Sequence, residues 1–335
     1  MKRIISLLLA LALSLSLAAC AAPAEKADGG KLQIVTTLFP YYDFARAIAQ
    51  DRADVTLLLS PGREAHSFEP TPLDAVTISE ADVFLYNGGE GEYWVESMLD
   101  AAGEHIAVAS RMIDYVDALN EEYVEGMQGA DGHDHDHEHG SHDDHDHDHE
   151  EDEHDSDEIE YDEHIWTSPK NAVVLCRAVC DAICRADAEN AAFYRANCEN
   201  YCAQLEDLDA RFAALCESAP RRLLIFADRF PMLYFCREYG LDYRAAFHGC
   251  SGDTEPSLAT IKFLIDKVED ENIPVVYTID FGTKKVAAVV SECTGAAIET
   301  LYSMQTVSRA DFDAGETYLT LMERNFEALR KGLNE

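Results

Sequence analysis

The sequence predicts an α/β protein of two (β/α) lobes, each built on a parallel sheet, joined by a long rigid helix with a cleft between the lobes. Three observations predict it. Short apolar runs alternate with helical patterns over residues 32–109, and the same rhythm returns over 222–295. Between the halves, residues 186–218 contain neither Gly nor Pro and repeat apolar residues every three or four positions.

The first half reads as strand at 32–38 (LQIVTTL), helix in YYDFARAIAQ, and strand at 54–60 (DVTLLLS). After a loop come TPLDAVTISEA, a strand starting at Asp82 (DVFLYNGG), the helical EYWVESMLDAAG, and HIAVA from His105. The second half opens with RLLIFAD at 222–228, then the helical PMLYFCREYG and a strand in YRAAFHG. SLATIKFLIDKVEDEN follows with Leu258, Ile261, Leu264, Ile265 and Val268 on one side, then strand PVVYTID at 274–280 and helix KKVAAVVSECTG, which Gly295 should stop. In the joining segment Phe193, Asn197, Tyr201, Leu205, Leu208, Phe212 and Leu215 share a face. At 1.5 Å per residue such a helix would span roughly 45 Å, the length of a strut between two lobes.

The amino terminus reads as an export signal: Lys2 and Arg3 precede an apolar stretch from Ile4 to Ala19. That stretch is short for a membrane span and is interrupted by Ser6, Ser14 and Ser16. It ends in Leu17-Ala18-Ala19-Cys20, which resembles a bacterial lipobox and would leave Cys20 as the lipidated first residue of a mature chain on the outer face of the cytoplasmic membrane. The expected organisation is a signal at 1–19, a flexible tether at 20–31, a first lobe at 32–185, the joining helix at 186–218 and a second lobe at 219–335.

A net charge of −38 excludes polynucleotides and anionic lipid as binding partners for the body of the chain, and favours cations. One tract focuses that preference. Nine of the thirteen histidines (His133, His135, His137, His139, His142, His145, His147, His149 and His154) alternate with Asp and Glu inside an insertion at about 127–160. Imidazole with carboxylate is the ligand set of borderline divalent metals, most of all zinc. An acidic loop that was merely solvated would not need so many histidines, so the tract is read as a loose collector of ions, with selectivity left to another site.

Ligands of open parallel sheets bind beyond the carboxyl ends of the strands. That rule selects His66 after DVTLLLS, Asp228 at the end of RLLIFAD, and Asp280 at the end of PVVYTID; His164, in DEHIWTSP, opens the segment that becomes helical after Pro169. The cysteines recur at helical spacing, Cys176, Cys180 and Cys184, then Cys198 and Cys202, which suits reduced thiols packed between helices better than a disulfide framework. Trp94 and Trp166 are expected in the lobe cores, Tyr41 and Tyr42 at or beneath the cleft, and Glu69 and Glu92 at the surface by default.

At this point the chain resembles a known family. The segment from VTTLFPYYDF to EGEYW is similar to the amino-terminal lobe of the zinc and manganese solute-binding proteins of ABC importers, the ZnuA-like or adhesin-B group. Gly62 to Pro70 carries its G-x-x-x-H-S-x-x-P hallmark, and Asp162 through Pro169 its D-P-H-I-W-x-x-P, with Glu163 in the Pro position. The resemblance implies a two-lobed clamp that holds one divalent cation, Zn2+ with Mn2+ as the alternative, and presents it to an ABC transporter membrane permease. It further implies a monomer, anchored through Cys20, that performs no catalysis.

His66 and His164 match family ligands. Where the family has a third donor this chain has Arg229, with Asp228 beside it, and the stretch 301–305 (LYSMQ) lacks the family's last carboxylate. Asp228 helped by Asp280 therefore ranks first as the completion of the site, with His248 and Cys250, or water or a histidine of the loop, as the alternatives. An Arg229–Asp228 ion pair is the competing structural role. Iron uptake, a zinc hydrolase using Glu163 as base, and a surface zinc store using only the His-rich loop are the rival functions.

Overall fold

A computed structural model describes residues 30–65, 67–103, 106–128, 161–251 and 255–334. His66, the histidine tract, Cys20 and the signal and tether segments lie outside these residues. Among the described residues no helix is long and apolar enough to cross a membrane.

The first half runs β1 (Leu32–Thr36), α1 (Phe39–Ala49), β2 (Ala53–Leu57), α2 (Pro72–Ser79), β3 (Val83–Tyr86), α3 (Trp94–Ala102) and β4 (Val108–Arg111). After the tract come α4 (Pro169–Ala186), the long α5 (Ala191–Ser218), β5 (Leu223–Phe230), α6 (Leu233–Tyr239), β6 (Asp242–His248) and α7 (Leu258–Asp270). The chain closes with β7 (Val275–Ile279), α8 (Lys285–Thr294), β8 (Ala297–Leu301), α9 (Arg309–Ala314) and α10 (Tyr318–Asn334). The strands form two four-stranded sheets, ordered β2-β1-β3-β4 and β6-β5-β7-β8, and every pair is parallel. Both sheets therefore reverse direction of winding between their two central strands, β1 with β3 and β5 with β7, and such switch points open a crevice at the strands' carboxyl ends.

Local chemistry sets the element ends. Thr71 and Asp74 form a reciprocal capping box before α2, with Pro72 in the first turn. Ser168 caps α4, and Pro169 occupies its first turn. Gly295, at φ 82°, ends α8 as expected, in a left-handed conformation that a side chain would strain. The predicted strut departs from one continuous helix at its start: Asp187 leaves helical geometry and caps the turn that follows, accepting from Asn190 and from the Tyr194 hydroxyl at 2.6 Å. The helix proper is 28 residues long.

α5 works as the strut the spacing implied. Its first turns touch the first lobe, where Asn197 donates to the Ile48 carbonyl at 2.9 Å and the Tyr201 hydroxyl to Asp43 at 2.6 Å. Its later turns touch the second, where Asp209 accepts from Tyr239 at 2.7 Å and Phe212 packs edge-on against Phe235. A single apolar core runs through both lobes, from Ile34 and Phe84 beside the first sheet, through Trp166 and Tyr201, to Phe226 and Tyr277 beside the second. A smaller cluster, including Ile225, Val276, Leu264 and Val290, covers the far face of the second sheet. Continuity of the core stiffens the two lobes against one another, since repositioning them would expose closely packed apolar surface.

Candidate metal centre

His164 is fully buried between the lobes, and its surroundings leave its ring little freedom. One oxygen of Asp162 accepts both the His164 backbone N–H, at 2.8 Å, and ring Nδ1, at 3.0 Å. The His164 carbonyl in turn accepts from Thr167, through N–H at 3.1 Å and hydroxyl at 2.8 Å. Gly249 lies flat against the imidazole: a Cβ there would stand 3.1 Å from both Cε1 and Nδ1. Because an ionised carboxylate only accepts, Nδ1 carries its proton toward Asp162, which directs the lone pair of the ring to Nε2. Burial pulls the ring's pKa down, but the Asp162 carboxylate, with Glu121 and Glu163 adding at longer range, more than offsets this and sets it above the ordinary histidine value.

His164 lines a cavity between the lobes together with Glu64, Arg229, Gly249, Ser303 and Gln305. Glu64 comes from the loop after β2 and Arg229 from the end of β5, so the carboxyl ends of both sheets meet here. The Arg229 guanidinium forms a fork with the Glu64 carboxylate, at 3.1 and 3.4 Å, and reaches the Ser251 carbonyl at 3.4 Å. Arg229 thus pairs with Glu64 across the cleft; the ion pair with Asp228 considered from the sequence is replaced by this longer-range one.

The remaining candidates are placed as follows. β5 shifts register against β6 between Phe226 and Arg229, and such a bulge re-aims the side chains around it. Asp228 accepts from the N–H groups of Arg229 and Ile279, at 2.9 and 3.4 Å, and its carboxylate fills the space that Gly282 leaves open. Burial raises its pKa, and Arg229 and Glu64 act on it with opposite sign. Asp280 accepts from the Ser303 N–H at 3.1 Å, and burial pushes its pKa up to about 6. His248 and Cys250 gather on a residue that sequence patterns did not signal, Glu121, whose carboxylate takes His248 Nδ1 at 3.2 Å and the Cys250 N–H at 3.1 Å. Burial, reinforced by Glu121, pushes the Cys250 thiol well up.

Glu163, beside His164 in sequence, faces away from the His164 cavity. Its carboxylate accepts from the Gly91 N–H at 2.7 Å and fits against Gly89 and Gly91, and it lines a neighbouring cavity with Thr37, Glu92 and Trp94. Glu92 is buried there, contrary to the default of an exposed glutamate, and burial first, then the nearby Glu163 charge, raises its pKa to about 7.

Residues 34–332 match the family described as zinc-uptake complex component A, periplasmic. The chain belongs to this family. It is 31% identical over 308 residues to the high-affinity zinc uptake system protein ZnuA of Bacillus subtilis, covering 91% of this chain and 88% of that protein. It is 30% identical over 335 residues to the zinc-binding lipoprotein AdcA of Streptococcus pneumoniae, covering 99% of this chain but 61% of that longer protein. Among solved structures, the metal-dependent lipoprotein YcdH of Bacillus subtilis superposes with a TM-score of 0.72 at 29% identity, over 90% of this chain and 100% of that one. The Zn(II)-bound ZnuA-like domain of Streptococcus pneumoniae AdcA gives 0.70 at 26% identity, over 91% and 100%. The two-lobed clamp expected of the zinc-uptake component family is the fold observed, with paired parallel sheets and a long joining helix.

Proposed function

We propose that this chain captures Zn2+ outside the cytoplasm and hands it to the permease of an ABC importer, without catalysis. The observation that carries the reading is the presentation of His164: a buried imidazole, oriented by Asp162, where the carboxyl ends of both sheets meet. A ring oriented by a carboxylate in this way is the usual arrangement of a zinc-ligating histidine. His66, two residues after Glu64 in the sequence, would supply the second nitrogen.

The oxygen donors of this reading come from the Glu64, Arg229 and Asp228 group. Arg229 is a resident positive charge held by Glu64, and an arriving divalent cation takes over its role, drawing on Glu64 and on Asp228 once the carboxylate leaves its two backbone amides. Asp280 supports the site through Ser303. His248 and Cys250, organised by Glu121 on the far side of Gly249, are the alternative donors and would make a softer set. The Glu163 carboxylate is engaged by the Gly91 N–H in the neighbouring cavity, which favours carriage over hydrolysis.

The lipid anchor at Cys20 and the collecting role of the histidine tract complete the proposal: the tract raises the local concentration of zinc, and the cleft selects it. The test is calorimetric titration of metal-free protein with Zn2+ and, in competition, with Mn2+. One tight zinc per cleft, lost in His164→Ala and outcompeting manganese, supports the reading. Preference for manganese would transfer the proposal to manganese uptake, and an unchanged number of tight zinc ions in His164→Ala would remove the cleft from it.

A further inference from the structure

Helices α4 and α5 pack side by side and antiparallel, and their shared face carries thiols in register. Cys176 and Cys180 lie one turn apart on α4, Cys198 and Cys202 one turn apart on α5, and all four are buried free cysteines. The sulfurs of Cys176, Cys198 and Cys202 lie within 4.8 Å of one another, and Cys198 and Cys202 are 3.8 Å apart. With a zinc–sulfur bond of about 2.3 Å, sulfurs around one ion stand roughly 3.8 Å apart in a tetrahedron and about 4.0 Å apart in a trigonal plane. The triad is therefore close to ligating distance without any movement of the backbone.

Filling space between helices does not require this chemistry, because Ala or Val would supply the volume with no S–H groups to accommodate. Here the thiols form a hydrogen-bonded set. Cys198 and Cys202 reach across to the carbonyls of Cys176 and Val173, at 3.8 and 3.9 Å. Two cysteines of one helix thus converge with Cys176 of the other in a buried, sulfur-lined spot, the donor set that a d10 cation prefers.

We propose that Cys176, Cys198 and Cys202 form a second and separate metal site that holds one d10 cation of the zinc class and pins α4 to α5. Each coordinating thiol gives up its proton to solvent on loading, so uptake releases protons. This site goes beyond the cleft: its donors are sulfur alone, whereas the proposed cleft donors are imidazole and carboxylate.

The test uses the reduced full chain with Cys250→Ser, which removes the thiol near the cleft, produced and purified anaerobically in medium containing Co2+. The expected result is thiolate-to-cobalt charge-transfer absorption equivalent to one ion per chain, falling to under a tenth in Cys198→Ala and in Cys176→Ala. Cadmium NMR of the unmodified chain keeps the proposal testable if those variants fail to fold, because sulfur-bound cadmium resonates well apart from cadmium on nitrogen and oxygen. A sulfur-bound resonance supports the site. Absence of both the charge-transfer band and that resonance overturns it, as does a band that persists undiminished in both alanine variants.

Discussion

A single oxygen of Asp162 fixes His164 at two points, the backbone N–H at 2.8 Å and ring Nδ1 at 3.0 Å. The peptide and the ring are thereby locked together, and the tautomer protonated on Nδ1 is selected. Replacing Asp162 with Ala should weaken zinc binding by about 10- to 100-fold, the usual cost of losing a carboxylate behind a ligating histidine. Asp162→Asn should fall between, since its amide oxygen still accepts from Nδ1. Calorimetry on metal-free protein checks both. Because the His164 pKa is raised above 6.5, protons compete with the metal from that value downward, so zinc affinity should decline as pH falls through it and the decline should start at lower pH in Asp162→Asn.

Arg229 places a guanidinium, paired to Glu64, in the cavity that His164 lines. A fixed positive charge opposes an arriving divalent cation and occupies one of its carboxylates. Arg229→His should bind zinc at least about tenfold more tightly, ~1.4 kcal/mol, by removing the competitor and adding a nitrogen donor. Weaker binding by this variant would show that Arg229 organises the site.

Glu92 has its pKa raised from 4.5 to about 7 by burial and the neighbouring Glu163 charge. Between those values the folded state holds a proton that the unfolded state has released, so stability falls as pH rises through the window and levels off above it. Metal-free Glu92→Gln should match the wild type near pH 4.5 and gain on it up to pH 7, by as much as about 3 kcal/mol at the upper end. Urea denaturation at a series of pH values measures the difference. A gap that does not change with pH would count against a protonated Glu92.

Asp43 ties three helices at one point: its Oδ2 accepts from the Tyr201 hydroxyl on α5 at 2.6 Å and from the Tyr318 N–H at the start of α10 at 2.9 Å. Asp43→Ala strands two buried donors and should cost about 2–4 kcal/mol. Asp43→Asn, which keeps an acceptor, should cost less. Thermal denaturation of metal-free protein ranks the three.

Most of the fold was legible because the strands are short Val/Ile/Leu-rich runs between helical patterns, as buried parallel strands must be. β8 was not: its outer residues Ala297 and Ile298 are exposed, and Ala-Ile-Glu-Thr-Leu after a helix lacks the apolar run that marks an inner strand. The helix break at Asp187 was hidden because Asp and Asn between alanines fit a helix by composition, and only their capping bonds show otherwise. In the cleft, His164 was legible from its motif, and Asp162 stood two residues ahead of it. Glu64 stands two residues before His66, yet its partner Arg229 is 165 positions away. Glu121 meets His248 across 127 positions, a contact no local pattern encodes.

The central claim is one selective cleft site, distinct from the histidine tract. Deleting residues 131–157 and titrating the metal-free product with Zn2+, alongside the same deletion carrying His164→Ala, tests it most directly. The account predicts one tight ion in the cleft of the deletion protein, counted beyond any ion held by the buried cysteines, and the loss of that one ion when His164 is also replaced. A deletion protein with no cleft ion, or a zinc stoichiometry that is the same with and without His164, would contradict it.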